Sequence, residues 1–338
     1  MNWLAGVGAP VFSPFFGFAL SALLLLAMKS VIRVPELYTA PKTNKPPSIW
    51  IRGLLILTCT LVSFFHGSND GQKGMGLIML ILIGVAPTAY ALNRAPAEGH
   101  AAAFVTAAHA ASKIVEAHGA GYAITGDPRP AVTEYIHSHT ITEGTYPSLA
   151  VLTKQISDSV EQYGSVAHTP LDKVQNLRND MYLASEAFRV LAKDKESELS
   201  AADKGQIAEF KKQLDFSTKF IPTWVKICTA IALGLGTMVG WKRIVVTVGE
   251  KIGKTHLTYG QGAAAEIIAA ATIGAADGFG LPVSTTHVLS SGVAGTMVAN
   301  GSGMQWSTVR SIALAWVITL PAAMLLAGGL YFVLRQCV

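Results

Sequence analysis

Two polar segments interrupt long apolar stretches of this sequence, at residues 66–74 (HGSNDGQKG) and 280–287 (GLPVSTTH). An acidic side chain at the centre of a membrane helix costs about 2.5–3.5 kcal/mol on insertion scales, so such groups are kept where they line a solute path. The composition indicates a membrane protein, because 51% of the 338 residues are hydrophobic, only 14% are charged and the mean hydropathy is +0.41. The two segments therefore predict the solute site of a membrane transporter.

The second polar segment has the composition of a helix start that can bind an anion. Pro282 precedes Ser284, and serine or threonine commonly caps the first turn of a helix. The unpaired N–H groups of a helix N-terminus, the positive end of its dipole and the hydroxyls of Ser284, Thr285 and Thr286 together form a candidate anion site. The alternative is that these hydroxyls only cap the helix or bond back to its own carbonyl groups.

The first polar segment supplies the complementary half of such a site. The amide of Asn69 can donate and accept hydrogen bonds, whereas an ionised Asp70 only accepts and would repel phosphate or sulfate. Asp70 is therefore predicted to hold a coupling cation, Na⁺ or H⁺, so that neither charge is buried without a partner. Accessory candidates are a donor amide, a cation and two imidazoles that could carry protons near neutral pH: Gln72, Lys73, His66 and His287. Each of these could instead be a loop residue, a snorkelling side chain or a packing contact.

The polar segments must be positioned by helices that cross the bilayer. Irregular backbone is tolerated at membrane depth only where protein or a water-filled cavity satisfies its polar groups, and many transporters place their sites at such breaks. Gly67, Gly71, Gly74 and Gly76 therefore predict a helix that is broken at the first segment; the alternative is a short exposed loop between two spans. Mostly apolar stretches with about the 20-residue length of a spanning helix occur near 12–32, 50–66, 74–92, 220–240, 259–279, 283–300 and 310–333.

The stretch from 94 to 218 contains no candidate span and differs from the rest in charge. It holds 12 basic and 16 acidic side chains, a net charge of −4, whereas the other residues hold 14 and 5, a net charge of +9. Apolar residues at helical spacing in 101–117 and 171–210 predict a small helical subdomain outside the membrane. The expected domains are thus membrane segments at 1–93, a soluble insert at 94–218 and membrane segments at 219–338.

Other charged residues are predicted to have roles outside the solute site. Basic residues at the ends of the apolar stretches indicate contact with anionic lipid in cytoplasmic loops, and they lack the interleaved aromatic residues of a nucleic-acid interface. No metal ligands are predicted, because His137 and His139 have no acidic or thiol partners at a recurrent spacing. Glu266, in an Ala- and Gly-rich stretch that permits close helix packing, could face the protein interior or a loop edge.

Four long strings carry a family resemblance: FFHGSNDGQKGMGLIMLILIGVAP at 64–87, GLGTMVGWKRIVVTVGEKIGK at 234–254, GLPVSTTHVLSSGVAGTMV at 280–298 and AWVITLPAAMLLAGGLY at 315–331. Over essentially the whole chain the sequence resembles the inorganic phosphate transporter (PiT) family, and most closely the bacterial low-affinity phosphate permeases with a long central insert. The resemblance implies an all-α, polytopic fold of two inverted repeats, with phosphate held between them and a coupling cation nearby. Carried over, it implies phosphate binding by Asn69, Ser284, Thr285 and Thr286 and a coupling-cation role for Asp70.

The chain departs from the family pattern in having one Asn-Asp segment and one Ser-Thr-Thr-His segment. We therefore expect half of an inverted-repeat transporter, with broken or re-entrant helices and a helical extramembrane insert. Residues 1–33 resemble the tail of the missing N-terminal repeat, so we expect a fragment, a split gene or a wrongly assigned start. The Gly-Gln-Lys at 71–73 resembles the bacterial branch, which implies proton rather than sodium coupling and transport of phosphate or of its neutral complex with a divalent metal.

Three functions remain open. The first is a phosphate:cation symporter or its C-terminal portion, and the second is a non-transporting fragment or membrane partner subunit. The third is an intramembrane serine hydrolase that uses Ser284, His287 and Asp70, although serine and histidine three residues apart on one helix are poor attack partners. No enzyme activity or organic cofactor is expected. The expected partners are phosphate or metal-phosphate, membrane lipid, and an N-terminal half chain or a second copy of this chain. The expected location is the cell inner membrane.

Overall fold

Helices form almost the whole described part of the chain. The computed structural model describes residues 3–41, 46–94, 99–119, 122, 124, 126–194, 197, 199–281 and 283–337. Within those residues there is no β-strand, and a single antiparallel bridge pairs Gly253 with Met304. The all-α prediction is therefore confirmed. The helices are α1 (Trp3–Val31), α2 (Pro35–Tyr38), α3 (Ile49–Val85), α4 (Pro87–Tyr90), α5 (His100–His118), α6 (Arg129–Ser138), α7 (Thr145–Tyr163), α8 (Val174–Lys193), α9 (Ala201–Thr218), α10 (Thr223–Met238), α11 (Trp241–Glu250), α12 (Tyr259–Phe279), α13 (Thr285–Asn300) and α14 (Trp306–Cys337).

Among the described residues, four helices are long and apolar enough to cross a membrane: α1, α3, α12 and α14. The pair α9 and α10, bent by 71°, passes the same test only when the two are taken together as one broken span. Large apolar side chains on these helices, such as Trp50, Ile56 and Leu325, are exposed on the protein surface. Such surfaces suit contact with lipid, and the prediction of a polytopic membrane protein is confirmed.

The helix break predicted at the first polar segment is wrong. A single helix, α3, runs from Ile49 to Val85 through the glycines of this segment. Glycine costs about 1 kcal/mol in a helix interior, but a backbone N–H or C=O left without a partner in lipid costs several kcal/mol. Keeping every backbone hydrogen bond therefore outweighs the flexibility of the glycines. At 1.5 Å per residue, the 37 residues of α3 extend about 55 Å, well beyond the roughly 30 Å of bilayer hydrocarbon.

The second polar segment does separate two helices. Gly280 ends α12 with a φ of 65°, a left-handed conformation that glycine adopts without strain, and its N–H bonds to the carbonyls of Ala276 and Asp277. Ser284 caps α13, as the sequence indicates. Pro282, which is part of the predicted helix start, lies outside the described residues. With 16 residues, α13 extends only about 24 Å, less than a full span. The inverted-repeat organisation stays a prediction.

Contacts divide the chain into two compact units. The membrane unit consists of Met1–Lys73 and Cys228–Val338, and the central unit consists of Gly74–Ile227. The predicted membrane boundaries at 93/94 and 218/219 stay a prediction, since these units are defined by contacts within the protein. The solute-site residues predicted from the sequence all belong to the membrane unit.

Close packing of α1, α12 and α13 forms the centre of the membrane unit. A β-carbon added to Gly295 on α13 would overlap the carbonyl oxygen of Phe18 on α1, and one added to Gly17 would come within 2.5 Å of the Val288 carbonyl oxygen. Small residues let membrane helices approach this closely and gain dispersion contacts. Helix α3 packs on α12 through a buried cluster: Val62, Ala269, Ala270, Ile273 and Val288.

The central unit is a bundle of α5 to α9 around an apolar core. The largest of its fully buried side chains include Phe104, Phe188 and Phe210, whose rings meet edge to face. The predicted helix at 101–117 is α5, and the predicted helical stretch at 171–210 contains α8 and α9. Ser200 starts α9 with a capping box that Asp203 completes. Apolar residues at helical spacing on α8 are largely buried, with Leu183 only partly so: Leu177, Met181, Leu183, Ala187 and Leu191.

Ion pairs between partly exposed side chains link α8 to the end of α9 in the central unit. The Nζ of Lys219 lies 3.1 Å from Glu186 Oε1 and 2.9 Å from Asp215 Oδ1. Asp215 also accepts hydrogen bonds from Lys211 and from the Ser185 hydroxyl, each at 2.5 Å. Burial alone would raise the pKa of Asp215, but these donors outweigh it, so the pKa lies below its usual value.

We expect acid to loosen α8 and α9 through this cluster. Because the folded-state pKa of Asp215 lies below that of the unfolded chain, about 4, its stabilisation is complete above that pH and is lost as the pH falls through the folded pKa. Asp215→Asn should remove this acid sensitivity and cost about 1–3 kcal/mol at neutral pH. Amide hydrogen exchange of α8 and α9 in the intact chain measures both effects.

The control is Asp172→Asn, which removes an exposed carboxylate that pairs with Lys173 at 3.5 Å. An exposed pair contributes about 0–1 kcal/mol, so this change should leave exchange unaltered. Equal acid sensitivity in the wild type and in Asp215→Asn would contradict the assignment.

Candidate phosphate and coupling-ion site

Four polar residues of the first segment lie on one face of α3. The four are His66 and the residues three, four and seven positions after it: Asn69, Asp70 and Lys73. These spacings place the four side chains on one side of a helix. Gln72 is exposed and its amide donates only a long hydrogen bond, of 3.5 Å, to the Ser68 hydroxyl. The segment therefore presents an amide, a carboxylate and two cation-forming groups to one side.

Two neighbours compensate the charge of Asp70. His66 Nε2 lies 2.9 Å from one carboxylate oxygen, and Lys73 Nζ lies 3.7 Å from the other. An ionised carboxylate only accepts hydrogen bonds, so the imidazole is the donor. The side chain of Asp70 is 38% exposed, so a small cation or a proton can reach it.

Lys73 joins the two polar segments. Its Nζ donates to the carbonyl oxygen of Val283 at 2.9 Å, and Val283 directly precedes the cap of α13. The residues concerned are 210 positions apart in the chain. The structure therefore brings the face of α3 that carries Asp70 to the start of α13, as the hypothesis of a shared solute site requires.

The hydroxyls at the start of α13 have different surroundings. Ser284 Oγ accepts from the backbone N–H of His287 at 3.4 Å, so this hydroxyl caps the helix, as the alternative interpretation proposed. Thr285 is buried, whereas Thr286 is exposed and its backbone carbonyl accepts from Ser290 Oγ at 2.5 Å. Capping and solute binding are compatible, because a serine oxygen that accepts one hydrogen bond still has its proton to donate.

A groove of about 560 Å³ opens beside this helix start. Ser284, Thr286 and His287 line it from α13, and the His287 ring stacks on Trp316 of α14 with ring centroids 4.4 Å apart. Arg243, on α11, lines the same groove and adds a permanent positive charge. Hydroxyls, a helix N-terminus and a guanidinium together suit a small oxyanion.

Two acidic residues of α12 face α3. The Nδ2 of Asn69 donates to Asp277 Oδ1 at 2.6 Å, and the hydroxyl of Thr58 donates to Glu266 Oε2 at 2.5 Å. Glu266 therefore faces the protein interior, which is one of the two positions that the sequence leaves open. Asn69 is buried, with 4% of its surface exposed.

Comparison with known proteins identifies the family. Residues 1–327 match the sequence profile of the Phosphate transporter family. The chain belongs to this family. It is 41% identical over 305 residues to the low-affinity inorganic phosphate transporter PitA of Escherichia coli K12, an alignment that covers 87% of this chain and 59% of PitA.

Two further relatives extend the comparison. The E. coli K12 transporter PitB is 38% identical over 315 residues, which cover 90% of this chain and 62% of PitB. The low-affinity inorganic phosphate transporter of Buchnera aphidicola from Acyrthosiphon pisum is 36% identical over 337 residues, covering 96% of this chain and 66% of that protein. The chain thus spans about three-fifths to two-thirds of the length of these relatives. No solved structure matches.

The resemblance to phosphate transporters is confirmed, and it weakens the hydrolase alternative. The family description and the names of the relatives describe transporters, not enzymes. The geometry agrees: Ser284 Oγ contacts the backbone N–H of His287, the His287 ring stacks on Trp316, and Asp70 pairs with His66. In the described part of the site, these three side chains do not form the hydrogen-bonded relay of a serine hydrolase.

Two residues that contact the candidate site, Arg243 and Asp277, are not among the site residues predicted from the sequence. Arg243 could have been noticed as a charge inside the string GWKRI, at the start of an amphipathic stretch. Asp277 could have been noticed as an acid in an Ala- and Gly-rich span. Neither signal indicates a partner, since only the folded chain brings Asp277 to Asn69. Among the described residues, no group of three His, Cys, Asp or Glu side chains could hold a metal ion.

Proposed function

We propose that this chain carries half of the phosphate site of an inorganic phosphate transporter in the cell inner membrane. The observation that supports it most is the bond from Lys73 to the Val283 carbonyl, because it joins the acidic face of α3 to the hydroxyl-rich start of α13. Membership of the phosphate transporter family and the names of the relatives agree with this solute.

The anion would bind at the start of α13. The predicted ligands are Asn69, Ser284, Thr285 and Thr286. Of these, Ser284 and Thr286 line the groove together with Arg243, which provides a positive charge. Uncharged hydroxyls and backbone N–H groups can release an anion more readily than a close cluster of cations, which suits a transporter that must both bind and release. His66, Gln72, Lys73 and His287 remain accessory candidates.

The coupling ion would bind at Asp70, and we propose that it is a proton rather than Na⁺. The carboxylate is already paired with His66 and Lys73. A neutral complex of phosphate with a divalent metal is a second form of the solute, since neutralising the anion lowers its desolvation cost. An N-terminal half chain or a second copy of this chain would supply the other half of the site.

Flux of labelled phosphate through liposomes that contain the purified chain tests this function. We expect uptake to respond to an inward proton gradient and not to a sodium gradient. Thr285→Val removes a buried hydroxyl without changing side-chain shape and should reduce uptake about tenfold to a hundredfold, the equivalent of about 1–3 kcal/mol. Thr237→Val is the matched control, because the Thr237 hydroxyl bonds only to the Gly234 carbonyl within its own helix.

The outcomes separate the remaining alternatives. Uptake by the chain alone supports a site completed by a second copy, and uptake only after addition of an N-terminal half from a relative supports a partner chain. No uptake under either condition would support the non-transporting alternative and contradict the proposal. Full activity of Thr285→Val would contradict the assignment of this hydroxyl to the phosphate site.

A further inference from the structure

The contact between Asn69 and Asp277 leaves one buried acceptor without a partner. The Nδ2 of Asn69 donates to Asp277 Oδ1 at 2.6 Å, and within the described residues the Oδ1 of Asn69 has no hydrogen-bond partner although it is buried. A buried polar atom without a partner costs about 1–3 kcal/mol. Such a cost calls for a partner, and a hydrogen-bond donor present in another state of the protein would supply one.

The ionisation of Asp277 decides which end of the Asn69 amide points away from Asp277. An ionised carboxylate only accepts hydrogen bonds, so Asn69 must turn its NH₂ group towards Asp277 and its oxygen away from it. In this orientation Asn69 presents an acceptor, which is unsuited to the oxygens of phosphate. With Asp277 ionised, Asn69 therefore cannot act fully as the phosphate ligand that the family resemblance implies.

Protonation of Asp277 would reverse this arrangement. A protonated carboxyl can donate its O–H to the amide oxygen, and the amide then turns its NH₂ group towards the solute. The turn is a rotation of about 180° around the last side-chain bond of Asn69, a torsion that is broad and roughly two-fold in asparagine. The amide oxygen and nitrogen are similar in size, so the rotation requires little repacking.

Asp277 has no cationic partner among the described residues, in contrast to Asp70. On α3, three groups could supply positive charge: His66 and Lys73 both contact Asp70, and Arg52 lies 17 residues before Asn69, near the other end of the helix.

The other titratable groups on the helices that pack on α12 have contacts elsewhere. They are Lys29 on α1, Glu36 and Tyr38 on α2, His287 on α13, and Tyr259 and Glu266 on α12 itself. Lys29, Glu36 and Glu266 form hydrogen bonds with Asn300, the Ser48 N–H and Thr58, respectively, and the His287 ring stacks on Trp316.

We propose that Asn69 and Asp277 form a proton-operated switch in which protonation of Asp277 turns the Asn69 amide from an acceptor into a donor for phosphate. The inference rests on the proposed function and adds a positioning residue, Asp277, to it. In addition to the coupling proton proposed at Asp70, one proton from the aqueous side binds Asp277 with each phosphate and leaves when phosphate leaves. Because linkage is reciprocal, phosphate then raises the proton affinity of Asp277 by the same factor by which the proton raises phosphate affinity.

The test compares phosphate binding by the wild-type chain and by Asp277→Asn over a range of pH. The amide that this substitution introduces cannot titrate and can donate or accept, so Asn69 can present its NH₂ group to the solute at every pH. Above the pH at which Asp277 ionises, the dissociation constant for inorganic phosphate should rise with pH more steeply in the wild type than in the variant. The difference should be about a factor of ten for each pH unit. Calorimetry in two buffers of different ionisation enthalpy should show about one proton fewer taken up per phosphate by the variant.

Two comparisons isolate the effect of Asp277. The ionisation of phosphate itself contributes equally to both proteins and cancels in the difference. Glu250→Gln removes a carboxylate from the exposed end of α11, in the same unit, and should bind phosphate with the wild-type pH dependence. Asp277→Ser, which also cannot titrate, is the second variant in case Asp277→Asn does not fold.

Each outcome bears on one of the two proposals. If both Asp277 variants bind phosphate with wild-type affinity and take up as many protons per phosphate as the wild type, the switch is overturned and the proposed function remains intact. No phosphate binding by the wild-type chain, alone or with an added N-terminal half, would overturn both. If neither variant folds, the wild-type infrared difference spectrum on phosphate binding must contain the C=O bands of two newly protonated carboxylic acids, Asp70 and Asp277, and the absence of the second band would overturn the switch.

Discussion

Gly295→Ala is expected to prevent stable folding of the membrane unit. The added β-carbon would overlap the carbonyl oxygen of Phe18, which is backbone and cannot turn aside as a flexible side chain can. In an unpacked helix the same change would add about 1 kcal/mol of stability, because alanine is the better helix former. Overpacking typically costs about 1–3 kcal/mol, and we expect at least about 3 kcal/mol here because α1 must shift as a whole.

The amount of monodisperse protein in mild detergent and its unfolding temperature measure this effect. Gly328→Ala is the matched control, since a β-carbon at Gly328 on α14 would meet nothing within 4 Å. The control should fold as well as the wild type or slightly better. An unfolding temperature of Gly295→Ala equal to that of the wild type would show that α1 and α13 do not pack as closely as the structure has them.

Asp70→Asn is expected to reduce phosphate uptake about a hundredfold or more, equivalent to about 3 kcal/mol. The variant loses the carboxylate proposed to hold the coupling ion, and it leaves His66 and Lys73 without their shared counter-charge. These side chains are 38–49% exposed, so loss of the ion pair itself costs only about 0–1 kcal/mol, and most of the expected effect comes from the missing ion-binding carboxylate. Liposome uptake under a proton gradient measures the loss.

The double variant Asp70→Asn/Lys73→Gln separates charge balance from ion coupling. It removes one negative and one positive charge, so the site regains its neutrality, and protein stability should return towards the wild-type value. Uptake should nevertheless stay low, because Asp70, the carboxylate proposed to take the coupling ion, is absent. Recovery of uptake in the double variant would show that Asp70 only balances Lys73.

Rules that apply within a single helix predicted most of the helices but gave a wrong prediction for α3. Ser284 was recognised as a cap from its position after Pro282, and α13 begins there because the capping bond forms within one turn. The glycines from Gly67 to Gly76 predicted a break that α3 does not have. The low helix propensity of glycine applies in water, where a backbone group that leaves the helix can hydrogen-bond to water instead. In lipid such a group has no other partner, so the helix continues despite its glycines.

The candidate site was only partly predictable for a different reason. Asn69, Asp70 and the Ser284–Thr286 hydroxyls are polar residues in apolar sequence, and their desolvation cost alone marks them as functional candidates. Arg243 and Asp277 carry similar local signals, but their importance depends on which helices adjoin them.

The sequence by itself determined that this chain is helical, spans a membrane and carries two polar segments with the chemistry of an anion and a cation site. Those properties follow from apolar length, charge density and capping, which act over one helix or less. Only the tertiary structure decided that Lys73 reaches Val283 and that Asn69 meets Asp277, pairs that are 210 and 208 residues apart. These contacts depend on how α3 packs against α12 through Val62 and its neighbours, and no local pattern encodes that packing.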